Sequence, residues 1–179
     1  RVLEEQESSE DYFRYKERCP LCDVIRQERA DGRRIIHESE HFIAFAPYAS
    51  YLPFQIMIMP KHHDPFFERM EKSQIMDLGR VFRRVFWALT NTLGDPPFNC
   101  VLHTTPPASA GDERYNHWHF EIVPRLTKVA GFEWGSGFYI NVATPEDAAE
   151  ALRAKINECD ETECPATEAD RAIGQLDRH

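Results

Sequence analysis

The stretch from Lys72 to Leu93, KSQIMDLGRVFRRVFWALTNTL, repeats apolar side chains at three- and four-residue spacing. This spacing places one apolar stripe along about four turns, and it predicts a long amphipathic α-helix that packs on a core. The segment Gly94–Pro97 follows at once, and its glycine and two prolines end a helix. The stripe consists of Ile75, Leu78, Val81, Phe82, Val85, Phe86 and Leu89.

Strand-like segments lie on both sides of this helix. The segment Phe54–Met59 is apolar at nearly every position, which is typical of a central strand covered on both faces. A second helix is predicted from Pro145 to about Ile156. The order of elements predicts an α+β fold in which a sheet packs against one long helix. The predicted strands are Arg34–Glu38, Phe42–Ala46, Phe54–Met59, Phe98–His103, His117–Val123 and Phe138–Asn141.

Composition excludes several classes of protein. The chain has 179 residues, of which 42% are hydrophobic, enough for one domain with a sizeable core. Its net charge of −9 argues against general binding to nucleic acid or to anionic membranes. The sequence contains no apolar run near the roughly 20 residues of a membrane helix, and the residues from Arg1 to Glu5 include no apolar signal core that would suggest secretion. Five cysteines do not suggest a disulfide framework, so we expect a cytoplasmic protein.

The chain divides into three predicted regions. Residues 1–18 are acidic with scattered aromatic side chains, and they predict a lead-in helix or linker. Residues 19–157 contain the strands and helices and form one predicted domain. Residues 158–179 are polar and poor in large apolar side chains, and they predict a mobile tail.

The pair Cys19-x-x-Cys22 is a candidate metal site, because two thiolates at this spacing can share one tetrahedral ion. A redox pair is less favoured, since no thioredoxin-like βαβ pattern surrounds it, and two inert buried thiols remain an alternative. Further ligands would have to be histidines near the ends of predicted strands. These are His62, His63, His103, His117 and His119.

The segment His117–Val123 alternates polar and apolar side chains. On a strand, His117, His119 and Glu121 point to one face, and the apolar side chains between them point to the other. The apolar set suits a core, so the polar set faces either a site or solvent. Two histidines and a carboxylate on one face favour a site over an ordinary half-buried strand.

The segment Lys128–Gly137 carries three glycines within seven residues. Glycines allow backbone N–H groups to approach a ligand closely. From the glycine spacing alone, a tight loop between two strands is the better interpretation. The segment matches neither the Walker nor the dinucleotide-binding pattern.

Four phrases together resemble the galactose-1-phosphate uridylyltransferase family of the histidine-triad superfamily. They are Cys19-x-x-Cys22, the apolar strand into Pro60-Lys61-His62-His63, His117-x-His119, and Ala130-Gly131-Phe132-Glu133. The resemblance is to the C-terminal lobe of two-lobed enzymes and covers roughly Glu4 to Arg153. It implies a histidine-triad-like antiparallel sheet packed against one long helix, with a C-terminal helix.

The family resemblance implies a transferase of galactose and carbohydrate metabolism. Its members pass a nucleoside monophosphate between hexose 1-phosphates through a nucleotidyl-histidine intermediate. The nucleophile belongs to a His-Pro-His-x-Gln motif in the N-terminal lobe, which this sequence does not contain. The expected partners are therefore a sugar nucleotide, a hexose 1-phosphate, a separate N-terminal lobe and a second copy in a homodimer, with no nucleic acid and no membrane.

The resemblance implies two competing metal sets that share His117. Relatives with the CxxC pair bind zinc through residues that correspond to Cys19, Cys22, His63 and His117. Other relatives hold a metal through residues that correspond to His103, His117 and His119. The expected cofactor is zinc, with iron as an alternative. The intact cysteines favour the first set.

The resemblance also suggests residues for chemistry and sugar binding. His119 matches the nucleophile position of the other lobe, but Glu121 replaces the phosphate-holding glutamine and would repel a phosphoryl group. A structural role for His119 is therefore favoured. The segment around Ala130, Phe132 and Glu133 matches a sugar-contacting loop that reaches the partner subunit, with Lys128 near phosphate. The rival functions are a stand-alone histidine-triad hydrolase or transferase that uses His119, and a non-catalytic zinc-stapled binding module.

Overall fold

Five antiparallel strands form one sheet in the computed structural model. The structure describes residues 2–105, 112–126 and 131–158, apart from the side chains of Val2, Leu3, Asp112 and Trp134. The strands are β1 (Ile35–Glu38), β2 (Phe42–Phe45), β3 (Ile56–Pro60), β4 (Phe98–His103) and β5 (His119–Pro124). The helices are α1 (Val2–Lys16), α2 (Pro20–Asp31), α3 (Lys72–Leu93), α4 (Gly131–Ser136) and α5 (Pro145–Glu158).

The order of strands in the sheet is β1-β2-β3-β5-β4. The apolar strand β3 therefore lies at the centre, as its sequence predicts. Glu121 of β5 stands opposite Met57 of β3 and opposite Val101 of β4, so these side chains cross one face of the sheet. At the end of the β4–β5 ladder, His103 stands opposite His119. The pairing thus brings two histidines together at one end of the sheet.

Helices cover both faces of the sheet centre. Helices α3 and α5 pack on one face, where Ile56, Ile58 and Ile122 are fully buried. Helix α2 covers the other face with Ile25 against Ile43, Phe45 and Met59. Burial of an aliphatic side chain of this size contributes about 1.5–3 kcal/mol, so these two clusters dominate the stability of the fold.

Local signals define helix α3. The side chains of Glu71 and Gln74 form a capping box at its start, and Gly94 ends it in the left-handed conformation at φ 73°. Its apolar stripe faces the sheet with Leu78, Val81, Val85 and Leu89 buried, as predicted, whereas the side chain of Ile75 is 53% exposed. The α+β fold with one long helix and a C-terminal helix is confirmed.

Two predictions about the segment after β5 are wrong. Phe138–Asn141 forms no strand; its aromatic and aliphatic side chains are exposed, and Asn141 is bound instead to the carbonyl of Ser50. The glycine-rich segment includes a short helix, α4, rather than only a loop between strands. Lys128, Ala130 and residues 159–179, which include most of the predicted tail, lie outside the described residues. Among the described helices, none is long and apolar enough to cross a membrane.

Candidate metal centre and histidine cluster

Four predicted metal ligands come together beside the sheet. Cys19 precedes the first turn of α2 and Cys22 lies within it, while His63 follows β3 and His117 precedes β5. The sulfur of Cys22 lies 3.4 Å from Nδ1 of His63 and 3.4 Å from Nδ1 of His117. One ligand atom from each of the four residues lies within 4.8 Å of all the others. Residues far apart in sequence thus converge on one point.

The backbone sets which nitrogen each histidine presents. Nε2 of His63 lies 2.7 Å from the carbonyl oxygen of Glu113, and Nε2 of His117 lies 2.9 Å from the carbonyl oxygen of Pro60. A carbonyl oxygen only accepts, so Nε2 carries the hydrogen in both rings. The lone pair of each neutral ring is therefore on Nδ1, the atom that faces the cysteines. Such a second hydrogen bond is typical of histidines that bind metals.

The donor atoms fit a tetrahedral ion. With zinc–sulfur bonds of about 2.3 Å and zinc–nitrogen bonds of about 2.0–2.1 Å, the sulfur–nitrogen edge of a tetrahedron is about 3.6 Å. The two 3.4 Å separations around Cys22 are close to that edge. Two thiolates and two imidazoles form a closed set of the kind that structural zinc sites use. These residues can hold a metal ion.

The two cysteines shift each other's pKa in opposite directions when no metal is bound. The hydrogen bond from Cys22 lowers the pKa of the Cys19 thiol, and the same bond raises the pKa of Cys22. Hydrogen bonding to the Cys19 sulfur also raises the pKa of His63. A metal ion requires both thiolates, so its binding would release protons from this cluster.

A second cluster joins His103 and His119 to Glu5 of helix α1. The two imidazole rings stack 4.5 Å apart at an angle of 14°. Glu5 Oε2 lies 2.9 Å from Nδ1 of His103, and Glu5 Oε1 lies 3.5 Å from Nε2 of His119. The structure therefore divides the alternative metal set, because His117 lies with the cysteines while His103 and His119 lie with Glu5.

Sequence reasoning missed Glu5 as a member of this cluster. It belongs to the acidic first turn of α1, where several glutamates are equivalent in the sequence. Gln55 was also missed; its Nε2 donates to Oε1 of Glu121 at 2.6 Å. No spacing signal marks either residue, because both contacts depend on the tertiary fold.

Carboxylates control the charge of the histidine cluster. The neighbouring carboxylates of Glu121, 3.6 Å from Nε2, and of Glu5, hydrogen-bonded to Nδ1, raise the pKa of His103 to about 9, so this ring is a cation at neutral pH. Burial lowers the pKa of His119. Burial is the largest effect on Glu5 and opposes its ionisation, but the hydrogen bond with His103 and the charges of His119 and His103 together outweigh it and lower the pKa of the carboxyl. His119 is thus a buried neutral ring with a carboxylate beside Nε2.

The predicted polar face of β5 is buried rather than open. His117, His119 and Glu121 are each at most 5% exposed, while Trp118 and Ile122 lie in the core on the opposite face. The predicted alternation therefore holds, although the strand itself begins at His119. Phe132 and Glu133 lie on helix α4, away from the core, with Phe132 60% exposed.

Comparisons with known proteins identify the family. Residues 5–163 match the model of the galactose-1-phosphate uridyl transferase C-terminal domain. The chain is 37% identical over 148 residues to an ADP-glucose phosphorylase of Arabidopsis thaliana, covering 82% of this chain and 41% of that protein. It is 28% identical over 150 residues to a galactose-1-phosphate uridylyltransferase of Thermotoga maritima, covering 79% of this chain and 46% of that one.

Solved structures agree with this match. An ADP-glucose phosphorylase from Arabidopsis thaliana with bound ADP-glucose superimposes with a TM-score of 0.75 at 36% identity, over 85% of this chain and 48% of that one. A zinc-bound histidine triad family protein from Mycobacterium smegmatis superimposes with a TM-score of 0.55 at 18% identity, over 81% and 97%, and shows the fold alone. This chain spans about half the length of the curated relatives. It belongs to the galactose-1-phosphate uridyl transferase family, whose C-terminal domain it matches.

Proposed function

We propose that this chain is the C-terminal lobe of an enzyme that transfers a nucleoside monophosphate between hexose 1-phosphates. The covalent step, a nucleotidyl-histidine, forms in the other lobe. The observation that carries this division of labour is the closed position of His119, which is 4% exposed and has a carboxylate of Glu5 3.5 Å from Nε2. A nucleophile needs an open line of attack on phosphorus, whereas this ring is almost fully buried and its Nε2 faces a carboxylate.

Electrostatics support the same conclusion. The α-phosphate of a sugar nucleotide is an anion, and Glu5 and Glu121 place two carboxyl groups around His103 and His119. Catalysis of phosphoryl transfer needs positive charge or hydrogen-bond donors where charge develops. The single cation, His103, is already paired with both carboxylates. This cluster suits a structural or metal-neighbouring role.

Two substrate pairs fit the family. Relatives named galactose-1-phosphate uridylyltransferase favour UDP-glucose with galactose 1-phosphate. The 37% identity to an ADP-glucose phosphorylase favours a second pair, ADP-glucose with inorganic phosphate, in which phosphate takes the adenylyl group to give ADP and glucose 1-phosphate is the leaving group. The common part of both proposals is a nucleotidyl group passed between phosphate oxygens.

The Cys19–Cys22–His63–His117 set is the proposed zinc site, with iron as the alternative metal. Zinc is favoured because mixed sulfur and nitrogen ligands in tetrahedral arrangement suit it. The metal would cross-link the start of α2 to the segment that follows β3 and to the segment that precedes β5. The chemistry of the reaction does not pass through it. The proposed role of these four ligands is to stabilise and orient the folded domain rather than to activate the substrate.

The segment that includes Phe132 and Glu133 is the proposed sugar contact, with Lys128 and Ala130 beside it in sequence. Glu133 would accept hydrogen bonds from hexose hydroxyls. Exposed apolar side chains follow closely, at Phe138, Ile140 and Val142. An apolar strip next to a sugar-contacting segment supports the proposed homodimer, in which this segment reaches the partner's site.

The decisive experiment compares the 179-residue chain with the complete protein from the same reading frame. Each is incubated with UDP-glucose or ADP-glucose, quenched under alkaline conditions and weighed by intact-mass spectrometry. We expect a nucleotidyl adduct on the complete protein only, and turnover with one of the two substrate pairs. An adduct on His119 of the short chain would instead make it a stand-alone histidine-triad enzyme. If neither protein forms an adduct or turns over substrate, and no sugar nucleotide stabilises either, the non-catalytic zinc-stapled binding module is the function that is supported.

Metal analysis tests the zinc proposal separately. We expect one equivalent of zinc in the purified chain and its loss in the variant Cys22→Ser, while Cys100→Ser, at an exposed cysteine on β4, retains it. Metal that persists in Cys22→Ser and disappears in His103→Gln would assign the site to the second cluster instead.

A further inference from the structure

Helix α1 rests on parts of the chain that the Cys19–Cys22–His63–His117 centre holds in place. The hydroxyl of Tyr12 donates to Asp23 Oδ2 at 2.8 Å, and Asp23 is the residue after Cys22. Asp23 is 6% exposed and also pairs with Arg26 at 2.9 Å and Arg18 at 3.3 Å. One anchor of α1 is therefore a buried carboxylate on the same helical turn as a proposed metal ligand.

The second anchor is the segment that leads into His117. The ring of Phe13 packs on the ring of Tyr115 at 6.0 Å, and the guanidinium of Arg114 lies 5.0 Å from the Phe13 ring. The Cys19 sulfur lies 3.5 Å from the carbonyl oxygen of Tyr115. The carbonyl of the neighbouring Glu113 accepts from His63. Both anchors of α1 thus contact, or directly adjoin, the four proposed ligands.

The hydrophobic core does not hold α1 in place. Neither core cluster of the described residues contains a side chain from α1. A cavity of about 160 Å³ separates part of the helix from β4, with Gln6 and Ser9 on one side and His103 on the other. Because the packing beneath it is incomplete, the position of α1 depends on its polar and aromatic anchors.

We propose that the metal centre is the docking platform of α1, and that through Tyr12 and Asp23 it places Glu5 against His103 and His119. This inference rests on the proposed metal site. It makes Tyr12 and Asp23 positioning residues for a cluster that they do not touch. Loss of the metal would free the Cys19–Asp23 turn and the 113–117 segment to move, and α1 would release Glu5.

Linkage makes the proposal quantitative. If metal binding favours docked α1, then docked α1 must favour metal binding by the same factor. The variant Tyr12→Phe removes one hydrogen bond to a carboxylate and leaves all four ligands intact. A hydrogen bond to a charged group is strong enough that its loss should change the docking equilibrium of α1, and with it the zinc affinity, on the order of 10-fold. Tyr15→Phe is the matched control, because Tyr15 lies on the same helix with its side chain 85% exposed.

The experiment is hydrogen exchange of the full chain followed by mass spectrometry, with metal content measured in each sample. In Tyr12→Phe loaded with zinc, we expect exchange of α1 amides to be about 10-fold faster than in Tyr15→Phe, with α3 unchanged. In a chelator competition, zinc should be held about 10-fold more weakly. Equal α1 exchange and equal zinc affinity in the two variants would overturn the proposal.

Metal removal provides the second measurement. In the unaltered chain, chelation should release protection in Val2–Lys16 while Lys72–Leu93 stays protected. If zinc leaves and α1 remains as protected as before, the docking platform is refuted, although the metal site stands. If the chain binds no metal even when zinc is added, the proposed zinc site fails and the docking platform fails with it, whereas zinc that binds without changing α1 exchange overturns the docking platform alone.

Discussion

Cys22 and His117 are 95 residues apart in sequence, yet Cys22 Sγ lies 3.4 Å from Nδ1 of His117. This contact joins the first turn of α2 to the entrance of β5. In an unfolded chain, the loop that it closes is long, so a metal that fixes it removes much conformational freedom. The position of the site in the fold therefore predicts that metal binding stabilises the whole domain.

Replacement of Cys22 by serine should lower stability and abolish zinc binding. We expect a loss of about 3 kcal/mol or more, because bound metal stabilises only the folded state. For a chain of this size, that corresponds to a fall in melting temperature on the order of 6–12 °C. Calorimetry with and without a chelator measures it. Cys100→Ser should melt like the unaltered chain, and chelator-insensitive melting of the unaltered chain would contradict the prediction.

The sequence predicted the elements that depend on local pattern. The bounds of α3 and β4 agree with the structure, because an apolar stripe, a capping box and strong stop residues act within a few positions. The strand predicted at Phe138–Asn141 is wrong because local pattern alone does not determine a strand. An apolar run suggests a strand, but a strand also needs a neighbour to pair with, and Phe138–Asn141 pairs with none of the five strands of the described sheet.

The two side-chain clusters also show how far local sequence patterns can predict a site. Motif phrases located Cys19, Cys22, His63 and His117, which do converge. The contact of Glu5 with His103 spans 98 positions and depends on how α1 docks. Nothing in the acidic first turn of α1 distinguishes Glu5 from Glu4. Long-range docking of a helix has no periodic signal, so its contacts become visible only in three dimensions.

The ionised pair of His103 and Glu5 predicts a pH dependence. The pKa of His103 is about 9 in the folded chain and near 6.5 unfolded, so folding favours the protonated ring. Its contribution is complete below about pH 6.5 and is lost as the pH rises through about 9. Screening reduces it to about 2 kcal/mol, because the Glu5 side chain is 38% exposed.

Urea unfolding between pH 6 and pH 10 measures this contribution. In His103→Gln the decline in stability over that range should be smaller by about 2 kcal/mol. The control is His62→Gln, at an exposed histidine next to the metal set in sequence. A slope that is identical in His103→Gln and in the unaltered chain would show that the ring is not protonated at neutral pH.

Arg34 should be essential for stability. Its guanidinium, 9% exposed, contacts Glu28 at 2.8 Å and Glu146 at 2.7 Å, and so ties α2 and α5 to the start of β1. Arg34→Met leaves Glu28 buried without its partner, which costs about 3–5 kcal/mol. The melting temperature should fall on the order of 10 °C. Arg33→Met breaks only an exposed pair with Asp31, and it should leave the melting temperature unchanged.

Glu133 provides the test of the proposed sugar contact, and it applies to the complete protein. Glu133 lies on helix α4, outside the hydrophobic core, and calorimetry of Glu133→Gln establishes that the variant is folded before its kinetics are compared. If the carboxylate accepts hydrogen bonds from a hexose, the loss of charge should lower kcat/KM for the hexose 1-phosphate about 10- to 100-fold. Steady-state kinetics with the sugar phosphate varied at saturating sugar nucleotide measures it. Glu150→Gln, at an exposed position of α5, is the matched control. Equal kcat/KM in the two variants would remove Glu133 from the sugar site, and the family resemblance would then have placed the contact at the wrong residue.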